Sequence, residues 1–166
     1  MRFLLFLAAA CSALFAQDTP VIALQNLAHA TTDVEKTGLF YRDVIGLAVN
    51  AAPGRPDPLK AAPAALNADM SRFTATQGMS FRAVTFRIPN AAFGFELTEF
   101  TGAPRKAAQP RIQDPGTATL ALMVRDMDAM FAKLKAAGTP IVTAGGAPIN
   151  PTGDANSKTR SMVIRD

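Results

Sequence analysis

Two side chains combine a chemically competent group with a place inside a well-marked strand: Glu96 and His29. Glu96 falls in the run Phe93 to Phe100, where alternation groups it with Gly94, Thr98 and Phe100 and leaves Phe95 and Leu97 on an apolar side. A carboxylate held out of water suits a general base that removes a proton next to a carbonyl. The competing reading is an ion pair with Arg82 or Arg87 on the neighbouring strand, serving structure alone. Glu99, near the strand end, reads as solvated. His29 is the single histidine, and alternation sets it with Leu27 and Thr31, opposite Asn26, Ala28 and Ala30. It reads as a partly buried, hydrogen-bonded histidine between sheet and helix; a bulge that rotated it inward would make it a metal ligand or general base.

Other chemical signals fall away on inspection. Gly145-Gly146-Ala147-Pro148 lacks the strand–helix setting and the Lys-Ser/Thr of a phosphate loop. Ser71, Ser80 and Ser161 have no nucleophile-elbow context. Met123, Met127 and Met130 fall at strand and helix core positions.

The elements that must position Glu96 and His29 come in two echoing sets. With Asp33 laid over Asp126, Leu27 falls on Leu120, Ala28 on Ala121, His29 on Leu122 and Val34 on Met127; after a one-residue gap Gly46 falls on Gly138. Each copy has an apolar strand, an Asp N-cap, about three turns of amphipathic helix, a glycine stop and another strand. The first runs through strand Val21 to Thr31, a helix from Asp33, strand Leu47 to Asn50, and the pair Phe81 to Ile88 and Phe93 to Phe100 across Pro89-Asn90-Ala91-Ala92. Between them, Ala52 to Gly78 is proline-rich and irregular, with a short helix expected within Leu59 to Met70. The second copy has strand Thr117 to Val124, helix Met127 to Ala137, strand Pro140 to Thr143, a Gly/Pro/Asn-rich loop and strand Arg160 to Ile164. The predicted fold is α+β, tandem βαβββ modules at about 21–101 and 117–166 around a linker at 102–116. The repeat calls for one more strand, so the second module reads as C-terminally incomplete, its last strand missing from the chain or supplied by another segment or partner.

At 166 residues, 49% hydrophobic and 18% charged, the chain suits one globular domain with a real core. Its net charge is +4, but the basic residues are scattered, tryptophan is absent and Tyr41 is the one tyrosine. That pattern reads as a solvated basic surface and not as a nucleic-acid interface. Met1 to Ala16 has the short basic start, apolar stretch and small-residue end of a secretory signal, and is too short to span a bilayer. The expected location is therefore secreted or periplasmic. Lipid anchoring through Cys11, the only cysteine, is the lesser alternative, because Ala8 stands where such signals carry leucine.

The run Asp33 to Leu47 (DVEKTGLFYRDVIGL), within a tandem βαβββ repeat, resembles the vicinal oxygen chelate superfamily of glyoxalases, bleomycin-resistance proteins and extradiol dioxygenases. Phe95-Glu96-Leu97-Thr98, Asp114-Pro115-Gly116 with Leu120 to Asp126, and Val163 to Asp166 resemble three further stretches of that family. The resemblance implies a cavity between modules, lined here by Asn26, Ala28, Glu96, Thr98, Thr119 and Ala121. It also implies four metal-ligand positions: Asn26, Glu96, Thr119 and one beyond Asp166. Glu96 is a good ligand, Asn26 a weak one and Thr119 not a normal one, while His29 is an alternative only. No cofactor is expected, with a divalent metal allowed if the site is completed beyond residue 166.

Two functions follow. One is an exported small-molecule binder without an intact transition-metal site. The other is a metal-dependent lyase, isomerase or dioxygenase with Glu96 as ligand or general base. The resemblance further implies a homodimer; no nucleic acid and no membrane span enter the expected partners. N-terminal sequencing of the extracytoplasmic fraction is expected to begin near Gln17, and intact Met1 on soluble protein would refute export.

Overall fold

The computed structural model describes residue 21, residues 23–106 and residues 110–166. The signal-like segment Met1 to Ala16 lies outside the described residues. Strand β1 spans Asn26–Ala30, helix α1 Val34–Leu39, and a wider helical turn Phe40–Ile45 continues it. Asp33 begins the helix as its sequence position requires: the side chain accepts from the Lys36 N–H at 2.9 Å. Gly46 ends it at φ +89°, a left-handed conformation that glycine adopts without strain. Strand β2 (Ala48–Val49), a 3-10 turn (Pro58–Lys60), β3 (Ala64–Ala65), helix α2 (Ala68–Thr74), and strands β4 (Ser80–Arg87) and β5 (Gly94–Thr101) follow.

The sheet runs β1-β5-β4-β2, with β3 also pairing β4. β1 is parallel to β5 and the other pairings are antiparallel. Val34, Tyr41, Leu59, Val84, Phe86, Phe95 and Leu97 close the core between α1 and one sheet face. The Tyr41 and Phe95 rings meet edge to face at 4.7 Å.

The proline-rich insert is anchored and not loose. Asp57 accepts from the Leu59 N–H at 3.0 Å, and Leu59 is fully buried. It packs against Gly38, where a Cβ would collide with the Leu59 side chain. This glycine inside a helix, costly by propensity, is what lets the insert dock.

Glu99 is buried where the sequence suggests a solvated side chain. The hairpin register explains it: Arg82 stands opposite Glu99 and Thr85 opposite Glu96. Glu99 Oε2 accepts from the Val34 N–H at 3.0 Å and from Arg82 Nε at 2.8 Å. Arg82 Nη1 also donates to the Ala61 carbonyl at 3.1 Å. One ion pair thus joins sheet, helix N-terminus and insert.

The second half forms helix α3 (Met127–Ala136), with Asp126 accepting from the Asp128 and Ala129 N–H groups at 2.9 and 3.0 Å. Its other pairings are the isolated bridges Ile141–Ile164 and Ile149–Ser161. The predicted strand Thr117 to Val124 forms no sheet ladder, though Leu120, Leu122 and Val124 are partly buried while Thr119, Ala121 and Met123 are exposed. The alternation is present, but among the described residues no strand pairs with this stretch.

Glu99→Ala leaves Arg82 and the Val34 N–H without their acceptor. It is expected to cost about 3 kcal/mol in urea unfolding, and Gly38→Ala about 1–3 kcal/mol through overpacking against Leu59. A loss below about 0.5 kcal/mol for Glu99→Ala would show that the pair does not hold the fold.

Candidate ligand-binding site

The sheet face away from α1 carries three rows of side chains. Asn26, Gly94 and Arg87 are in register; next come Ala28, Glu96 and Thr85; then Ala30, Thr98 and Ala83. At Gly94 a Cβ would lie 2.6 Å from Thr85 Cγ2, so the missing side chain is what lets Thr85 lie over the first row. The Asn50 N–H donates to the Thr85 carbonyl at 2.7 Å and carries Asn50 alongside.

A cleft of about 480 Å³ opens on these rows, lined by Gln25, Asn26, Asn50, Thr85, Arg87 and Glu96 together with Phe93. Glu96 is partly buried, and no ion pair or side-chain hydrogen bond engages it among the described residues. Arg82 is spent on Glu99 across the sheet, and Arg87 lines the cleft without pairing to Glu96. The cleft therefore offers a carboxylate, a guanidinium, three amides and a hydroxyl beside one aromatic ring, which suits a small polar ligand.

The residues read from sequence as one cavity divide. Asn26 and Glu96 share the cleft. Ala28 is exposed beside Glu96, and Thr98 is buried with its hydroxyl donating to the His29 carbonyl at 3.4 Å. Thr119, Ala121 and His29 line a separate, larger groove of about 1560 Å³. The His29 side chain is 46% exposed, with Nε2 3.8 Å from Asp166 Oδ2. The same Asp166 oxygen accepts from the Tyr41 hydroxyl at 2.7 Å. Burial, reinforced by Asp166, pushes the Tyr41 phenol above its ordinary range, so it stays a neutral donor.

Thr85, Asn50, Gln25, Arg87 and Phe93 are cleft residues that sequence reading does not assign to the site. Thr85 had a signal: the turn between β4 and β5 sets it opposite Glu96. Asn50 and Gln25 had none, since both lie just beyond strand ends.

The cleft's donors for a metal are one carboxylate with amides and a hydroxyl. Among the described residues no three His, Cys, Asp or Glu are grouped to hold a metal ion. Glu96 with amide and hydroxyl neighbours matches at most a loosely held hard cation.

Comparison with curated proteins finds no match. Among solved structures, a glyoxalase family protein from Bacillus cereus superposes with a TM-score of 0.53 at 16% identity, covering 76% of this chain and 78% of that one. The structure of SMU.1112c gives a TM-score of 0.44 at 17% identity over 73% and 78% of the two chains, too low to support an argument. The family model of the Glyoxalase/Bleomycin resistance protein/Dioxygenase superfamily matches residues 23–155. Nearly the whole described chain is spanned by that match, and its mixed sheet backed by α1 agrees with it: this protein belongs to the Glyoxalase/Bleomycin resistance protein/Dioxygenase superfamily.

Proposed function

We propose that this is an exported member of its superfamily that binds a small polar molecule over the Glu96 cleft, without an intact transition-metal site. The supporting observation is the composition of the cleft. Its one carboxylate, Glu96, is accompanied by Asn26, Asn50 and Gln25, all amides, and Thr119 lines other ground. Amides and hydroxyls bind and orient polar ligands through directed hydrogen bonds, but they are poor donors to Zn, Ni or Fe. The tandem arrangement of the two modules and a homodimer belong to the same proposal. Among the described residues no helix is long and apolar enough to cross a membrane.

One observation favours a second reading. Among the described residues Glu96 is the acid of the sheet that no cation engages, while Glu99 is held by Arg82, by the Val34 N–H and, at 3.9 Å, by Arg105. An unpaired, partly buried carboxylate in a cleft is available to remove a proton from a bound carbonyl compound, so a lyase or isomerase using Glu96 as general base is the alternative.

Metal analysis of extensively dialysed protein tests the metal-free binder against a metal-dependent lyase or isomerase in which Glu96 is a ligand. Less than about 0.1 equivalent of Zn, Ni, Mn or Fe is expected, because tight sites take three or four good donors. About one equivalent, lost on Glu96→Gln, would overturn the binder reading and support a metalloenzyme. Native mass spectrometry of the purified chain is expected to show a small polar adduct that Glu96→Gln removes.

A further inference from the structure

The larger groove has a character unlike that of the Glu96 cleft. Its lining includes Ile112, Met123 and Val142, each a large apolar side chain left exposed, beside the partly buried Leu120, Leu122 and Val163. Met123 is fully exposed, at 101%. An apolar surface of this extent on one concave face marks a binding site more often than chance.

The lining is cationic. Arg105, Lys106, Arg125, Lys158, Arg160 and Arg165 line the groove, against Asp166 as its single acid among the described residues. That acid is already engaged by the Tyr41 hydroxyl. Three of the cations are tied down. Arg160 makes a two-pronged pair with Asp128 at 2.7 and 2.8 Å, and holds that carboxyl below the usual carboxylate range. Arg165 donates to the Pro110 carbonyl at 3.1 Å, and Arg105 donates to the Thr32 carbonyl at 3.4 Å and pairs with Glu99 at 3.9 Å. Lys106, Arg125 and Lys158 have no acidic partner among the described residues. Charge and apolar lining together call for a ligand with an anionic head and an apolar body.

We infer that this groove binds a monomeric amphipathic anion, a carboxylate or phosphate on an aliphatic chain of roughly ten carbons, its head among Lys106, Arg125 and Lys158 and its chain along Met123 and Val142. The groove, at about 1560 Å³, is larger than a compact metabolite requires and suits an elongated one. The inference rests on the small-molecule reading but uses a surface distinct from the Glu96 cleft, so the two fail separately.

The test is calorimetric titration of the full chain with decanoate, decyltrimethylammonium and decyl maltoside, each below its micelle concentration. Decanoate is expected to bind with a dissociation constant on the order of 10–100 µM, at least about tenfold tighter than the cationic or neutral chains. Arg125→Glu with Lys158→Glu reverses two exposed charges and is expected to weaken decanoate about tenfold. Met123→Asp should weaken it comparably by placing a charge on the apolar lining, while Lys36→Glu, on the outer surface of α1, leaves it unchanged. Unaltered thermal midpoints show that the variants remain folded. Equal affinity for all three chains, no decanoate binding at 1 mM (about −4 kcal/mol), or insensitivity to both groove variants overturns the inference. Sedimentation with phosphatidylglycerol vesicles but no decanoate binding overturns it in favour of a membrane surface. Retention of the Glu96-dependent adduct alongside loss of decanoate binding would remove this inference alone.

Discussion

The ion pair between Glu99 and Arg82 holds the described sheet and its helix in one arrangement. Glu99 is only 6% exposed and sits where α1 begins, so its carboxylate satisfies a helix-terminal N–H that would otherwise be left open beneath the sheet. A negative charge at that end is also favoured by the helix dipole. Arg82 completes the arrangement by reaching the Ala61 carbonyl, which draws the irregular insert onto the same corner. Burying two charges is costly unless each finds several partners. Here they do: helix, strand pair and insert must all be in place before the charges are compensated.

That constraint also sorts the two faces of the sheet. Because Arg82 and Glu99 face the helix, the intervening alternation sends Thr85 and Glu96 to the other side. The helix face is closed by Phe86, Phe95, Leu97 and Tyr41, and the opposite face stays open over the cleft. One acid is thus consumed by architecture and the other, three residues away on the same strand, is left for a ligand. The two would exchange roles if the strand register slipped by one residue.

The second half of the chain is held differently. Helix α3 buries Leu134, and the segments around it meet through isolated bridges and not through a ladder. Fewer shared hydrogen bonds leave apolar side chains such as Met123 and Val142 facing open space. Six cations scattered along the sequence line this ground together once the chain is folded.

The sequence by itself determined the elements whose signals are local. Asp33 and Asp126 mark helix starts because a side-chain oxygen three residues from an open N–H is a short-range bond. Gly46 marks a stop because of its own φ, and alternation assigned Phe95 and Leu97 to the core. The family, too, was legible, since it is written in such local runs. Only the tertiary structure decided which acid is buried, which amides border Glu96 and which cations share a groove. Those outcomes depend on pairing register and on contacts between residues as far apart as Val34 and Glu99. The energy that selects between solvated and paired carboxylates exists only once the partner strands have met, so no local pattern could announce it.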